Sequence, residues 1–250
     1  MAEEKEPKPR RPRRSKADIE EAIHKAATAQ IKKKGFSLAL VTDIVKRAKI
    51  EPIVFYNRYK NLDEFYDTFV KQYDYWLIDM INSGKPELYS EEGLAGMLEN
   101  LFNSILSDKL MTELLRWEIT EGNHITERTA RIRELHTLEL LDKFDGILRK
   151  GDMDIAAVIV VFVAGLYYVV LHKDRSSFGG VDINTPQGKE RIHNACRSIA
   201  SMFFRRNDPN KQLIRIAANM RAEGIPEDVI SRCLRSEMAS SYKQTGAAGA

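Results

Sequence analysis

Cysteine is nearly absent from this chain of 250 residues, which holds only Cys196 and Cys233. Two cysteines cannot build a disulfide framework, so the expectation is a reducing, cytoplasmic setting. Strand-like alternation of apolar and polar residues is scarce, and helical spacing takes its place, which points to an all-α fold. The opening "MAEEKEPKPRRPRRSK" lacks an apolar run after its charges and so lacks the pattern of a signal peptide. No Lys-Ser/Thr follows Gly179-Gly180, which excludes a phosphate loop. The five histidines are scattered and no nucleophile motif appears, so the expectation is a non-enzyme with no catalytic residues and no cofactor. His193-x-x-Cys196 has ligand spacing, but with no second pair it reads as packing and not as a metal site. Asp152 and Asp154 flank a helix start, where carboxylates cap and suit the helix dipole.

Long hydrophobic runs are also lacking, with one exception. "IAAVIVVFVAGLYYVVL", residues 155–171, carries no charge. At about 1.5 Å per residue it reaches about 25 Å, short of a hydrocarbon core of about 30 Å. Its flanks are of mixed charge, so a helix buried on all sides is expected and no membrane partner.

What is present is a lopsided charge. The formal net charge is only +3, yet residues 1–60 hold 16 Lys/Arg against 8 Asp/Glu, and the rest hold 23 against 28. A basic head on a mildly acidic body suggests that the head alone meets a polyanion. Residues 1–16, with seven basic residues and three prolines, cannot form a core. They read as a disordered basic arm or, alternatively, as a solubilising tail.

Apolar residues at Ile19, Ile23, Ala26, Ala27 and Ile31 define a first helix. It ends in Lys32-Lys33-Lys34, which suit the dipole, and Gly35. Val41, Ile44, Val45 and Ala48 give a second helix over 41–47. Pro52 suits the first turn of a third, over 52–58, because its missing N–H is not needed there. Two short helices joined by a three- or four-residue turn, with a third packed across them, make a helix-turn-helix. Longer helices follow at about 62–82, 90–107, 109–120, 126–149, 154–171 and 187–206, punctuated by Gly84, Pro86, Gly122 and Gly151. Beyond them lie a helical hairpin within 207–238, in which Gly224 stops one helix and Pro226 opens the next, and a flexible tail at 239–250.

The run "AA … KKKGF", "VTDIVKRA" and "FYNRYKNLDEF" within residues 17–66 resembles the DNA-binding domain of TetR/AcrR-type transcriptional regulators, without gaps. "LLRWEITEGN", residues 114–123, resembles a segment of that family's C-terminal domain more weakly. The resemblance implies a DNA-binding domain over 17–61 and an effector-binding and dimerisation domain over 62–206. It implies a homodimeric, ligand-responsive repressor of double-stranded DNA. Glu51, Pro52, Ile53 and Val54 would then face the major groove, and Asn57 would be the main hydrogen-bonding reader. Tyr56, Arg58 and Lys60 would hold phosphates, with Thr42 and Lys46 gripping the flanking backbone.

The chain departs from the pattern at its turn, where Lys49 replaces the usual glycine. It departs again at Pro52-Ile53-Val54, where small residues usually stand. A helical interaction module with a degenerate DNA-binding head is the alternative reading. For an unknown small-molecule effector, Trp117 with Phe102, Arg116, Asn123 and His124 forms a candidate pocket; a core tryptophan with surface charges is the competing account.

Overall fold

The computed structural model describes residues 14–82, 88–148, 154–206 and 209–235. The arm at 1–13, Gly84, Pro86, Gly151, Asp152 and the tail at 239–250 lie outside the described residues. Among the described residues the fold is all-α, and the only extended pairing is an isolated bridge between Phe178 and Val181. Contacts divide the chain into two compact units. One comprises residues 1–83, 101–139 and 166–175, and the other 84–100, 140–165 and 176–250.

In the first unit, α1 (Lys16–Lys34) starts at a capping box in which Ser15 and Asp18 satisfy each other's backbone N–H. It ends at Gly35, whose φ of 82° suits glycine. Ile23, Ala26, Ala27 and Ile31 are buried on one face. Helix α2 (Val41–Ala48) packs against α1, and α3 (Pro52–Tyr56) follows after the turn. Helix α3 has five residues and is shorter than the expected 52–58. Residues 57 and 58 already form a turn.

The helix expected over 62–82 is broken. Helix α4 (Leu62–Val70) passes into one 3₁₀ turn (Lys71–Tyr73), and α5 (Trp76–Asn82) restarts after it. The break contains neither glycine nor proline. Its partner is Arg128, which bonds Asp67 at 3.1 Å and Asp74 at 2.7 Å, one carboxylate before the break and one within it. Helices α6 (Glu91–Ser107), α7 (Lys109–Thr120) and α8 (His124–Leu148) follow in chain order.

Helix α9 (Ile155–His172) corrects the expectation of a helix buried on all sides. It is long and apolar enough to cross a membrane, with a mean hydropathy of 2.4, yet only 22% of it is buried within this chain. Ile155, Ile159, Leu166 and Val170 are covered, while Val160, Val161 and Tyr168 stay open. In the second unit, α10 (Pro186–Arg206) buries Cys196, Ala200 and Phe203 and leaves Met202 exposed. Burial pushes the Cys196 thiol up to about 12, as befits a packing residue. Helix α11 (Pro209–Ala222) and α12 (227–235) follow, with Ala217 and Ile230 buried while Ile214 and Ile216 stay exposed.

Candidate nucleic-acid interface

The turn between α2 and α3 is built from the backbone. The Ile50 N–H donates to the Val45 carbonyl at 3.2 Å, and the Lys49 N–H to that of Lys46 at 3.4 Å. This double closure is a Schellman motif, and it needs a left-handed residue after the helix. Lys49 takes that place at φ 55°, ψ 51°. A side chain with a Cβ is strained there by about 1 kcal/mol. The absence of glycine at this turn therefore changes its energy and leaves its shape intact.

Beyond the turn, Phe55 is fully buried and Tyr59 nearly so, and both rings pack on Phe65 at 5.6 and 5.0 Å. This aromatic floor fixes the outward face of α3. Glu51, Pro52, Ile53, Tyr56, Asn57 and Lys60 are exposed there, as are Thr42 and Lys46 on α2. Val54 is half-buried. Arg58 is half-buried too, because its Nη1 donates to the Val54 carbonyl at 2.8 Å. That bond ties Arg58 to the end of its own helix, so it also stabilises α3. Lys34 of α1 pairs with Asp43 of α2 at 2.8 Å and holds that carboxyl below its usual range.

Sequence reasoning missed the anchor behind this face. Phe36 stacks on Trp117 of α7, with centroids 4.7 Å apart and planes 6° from parallel. Tyr66 of α4 meets the same indole edge-on at 5.6 Å. The single proton of the Tyr66 hydroxyl is shared between the carbonyls of Phe36 and Ala39, at 3.0 and 2.8 Å, and holds the loop before α2. The Trp117 indole N–H donates to Glu121 at 2.8 Å. Hydrogen bonds from Ser37 and then Trp117 hold the Glu121 carboxyl below its ordinary value. A "GF" pair at the end of the first helix and a tryptophan 81 positions later carry no local signal of contact.

The other residues expected around an effector are also engaged. Arg116 bonds Glu113 at 2.6 Å, the Leu171 carbonyl at 2.9 Å and Asp174 at 3.2 Å. Asn123 caps α8 by accepting from the Ile125 and Thr126 N–H groups, each at 3.0 Å. His124 opens that helix, and Phe102 is fully buried. A cleft of about 660 Å³ lies elsewhere in the same unit, lined by one face of α1 with Phe69, Tyr73 and the start of α7. None of the five expected pocket residues lines it. Nearby in sequence, Arg133 makes two short bonds to the half-buried Glu118, which also accepts from the Thr129 hydroxyl.

No protein-family model matches the sequence, and no curated protein matches it. Solved structures do. A TetR-like transcriptional regulator from Rhodococcus sp. RHA1 superposes with a TM-score of 0.55 at 15% identity, over 75% of this chain and 96% of its own. A TetR family regulator from Marinobacter aquaeolei VT8 gives 0.52 at 18% identity, over 73% and 95%. The fatty acid degradation regulator FadR from Bacillus halodurans gives 0.51 at 18% identity, over 71% and 97%. Sequence identity this low speaks to the fold.

Proposed function

We propose that this chain, which has the fold of TetR-type transcriptional regulators, is a sequence-specific regulator of transcription that binds double-stranded DNA as a homodimer. The observation that carries this reading is the α2–turn–α3 unit, closed by two backbone bonds and backed by packed rings. It presents Pro52, Ile53, Tyr56 and Asn57 outward from a fully buried Phe55. Its short α3 offers methyl groups and a single amide in place of several donors. Methyls of Ile53 would meet the C5-methyl of thymine, and Asn57 would read base edges. Tyr56, Arg58, Lys60, Thr42 and Lys46 would hold phosphates, together with the basic arm.

The open face of α9 supports the dimer. Val161, Ala164 and Tyr168 follow one another at helical spacing and are exposed, and Met202 of α10 is open as well. A second copy would cover these faces, and a two-fold axis would place two recognition helices about one DNA turn apart. Response to a small-molecule effector, and repression as its output, complete the reading, with the cytoplasm as its setting. The domain division of 17–61 for DNA and 62–206 for effector and dimer belongs to the same proposal.

Selection from random duplexes tests the DNA claim, and light scattering at micromolar concentration tests the dimer. The expected results are an A·T-leaning consensus and a mass about twice 28.6 kDa. A second reading has its own observation. Leu38, Leu40 and Ile53 are each more than half exposed beside the helix-turn-helix, a surface suited to protein contact. Absence of duplex binding even at low salt favours that alternative.

A further inference from the structure

The C-terminus of α2 leaves one backbone acceptor for a residue far away in sequence. The Schellman closure uses the carbonyls of Val45 and Lys46. The Ala48 carbonyl has no helical partner, because α2 ends there and the chain turns away at left-handed Lys49. The Nη1 of Arg14 donates to this carbonyl instead, at 2.9 Å and across 34 positions. The acceptor sits directly before Lys49, the only non-glycine with positive φ among the described residues. On the other side of Arg14, Ser15 caps α1, so the root of the arm is fixed at both ends.

We propose that Arg14 is a positioning residue for the recognition helix: it clasps the strained turn at Lys49 and so sets how Glu51, Pro52 and Ile53 are presented to DNA. The proposal rests on the DNA-binding reading for its functional half only. A guanidinium on a helix C-terminus is favoured by the dipole and by the carbonyl that the end of the helix leaves unpaired. The arm would then have two separable tasks. Residues before Arg14 supply charge, and Arg14 supplies geometry.

The test compares four forms of the full chain: Arg14→Ala, Arg14→Lys, Arg14→Ala with Lys49→Gly, and a deletion of residues 2–13. Amide exchange at Lys49 and Ile50 needs no DNA. Arg14→Ala should speed it roughly tenfold to a hundredfold, the loss expected for one charge-assisted bond. Titrations then use the selected consensus duplex and a scrambled one. Arg14→Ala should lower the consensus-to-scrambled affinity ratio roughly fivefold. Arg14→Lys should keep part of that ratio, and Lys49→Gly should restore it by removing the strain. The deletion should flatten the salt dependence and leave both exchange and the ratio unchanged.

Unchanged exchange in Arg14→Ala overturns the clasp. Equal weakening on both duplexes, with a salt slope reduced by about 0.9, also overturns it by making Arg14 a plain phosphate contact. If the wild-type chain binds no duplex, the DNA reading fails, and exchange alone still decides whether the clasp exists.

Discussion

The helix-turn-helix and the α9–α10 helices handle apolar surface in opposite ways. In the head, Phe36, Phe55, Phe65 and Phe69 are all buried within the chain, and the open faces of α2 and α3 are mixed, with Thr42, Lys46 and Arg47 beside Pro52, Ile53 and Tyr56. On α9 the balance reverses, for Val160, Val161 and Tyr168 face outward along a helix with no Asp, Glu, Lys or Arg. A region that closes its own core can present a fixed surface to a rigid partner. A region that leaves valines open is suited to a second protein surface that would cover them. The first arrangement suits reading DNA, and the second suits assembly.

Substitutions in the two regions should therefore have different consequences. Phe65→Ala removes the ring on which Phe55, Tyr59 and Phe69 pack. It should cost about 3–5 kcal/mol and lower the melting temperature sharply. Val161→Glu should do the reverse, keeping helicity by circular dichroism while light scattering falls from dimer to monomer. Loss of helicity along with mass would show that α9 is needed for the fold itself. Lys49→Gly sharpens the view of the head, since relief of left-handed strain should stabilise it by about 1 kcal/mol in denaturant titration.

The smallest effect comes from Glu121. Its carboxyl sits below its ordinary value because Ser37 and Trp117 donate to the charged form. That contribution is complete above the unfolded value and is lost as pH falls through the lower folded value. Trp117 fluorescence, read in a Trp76→Phe background, should hold steady from neutral pH and change only below the ordinary carboxylate range.

Legibility in the sequence followed the range of each interaction. The three head helices could be placed because Gly35, Pro52 and the apolar spacing act within a turn or two of themselves. Residues 71–75 looked helical because no glycine or proline interrupts them. The partner of the break, Arg128, lies more than fifty positions away. The same limit hid the stacking of Phe36 on Trp117 and the bond from Arg14 to Ala48. Arg58 was recognisable as a charge beside α3, but its bond to Val54 required coordinates. The apolar run at 155–171 was legible as a helix, whereas how much of it one chain covers depended on packing that spacing does not encode.

The most direct test of the account is a titration of the selected duplex with the full chain at about 50 and about 200 mM salt. In the proposed reading, a basic arm together with Arg58, Lys60, Lys46 and Tyr56 would supply enough phosphate contacts for affinity to fall by roughly a thousandfold between them. The account predicts that steep loss, with a two-fold related pair of half-sites in the bound sequence. Affinity that does not change with salt, or no binding at the lower concentration, would contradict it.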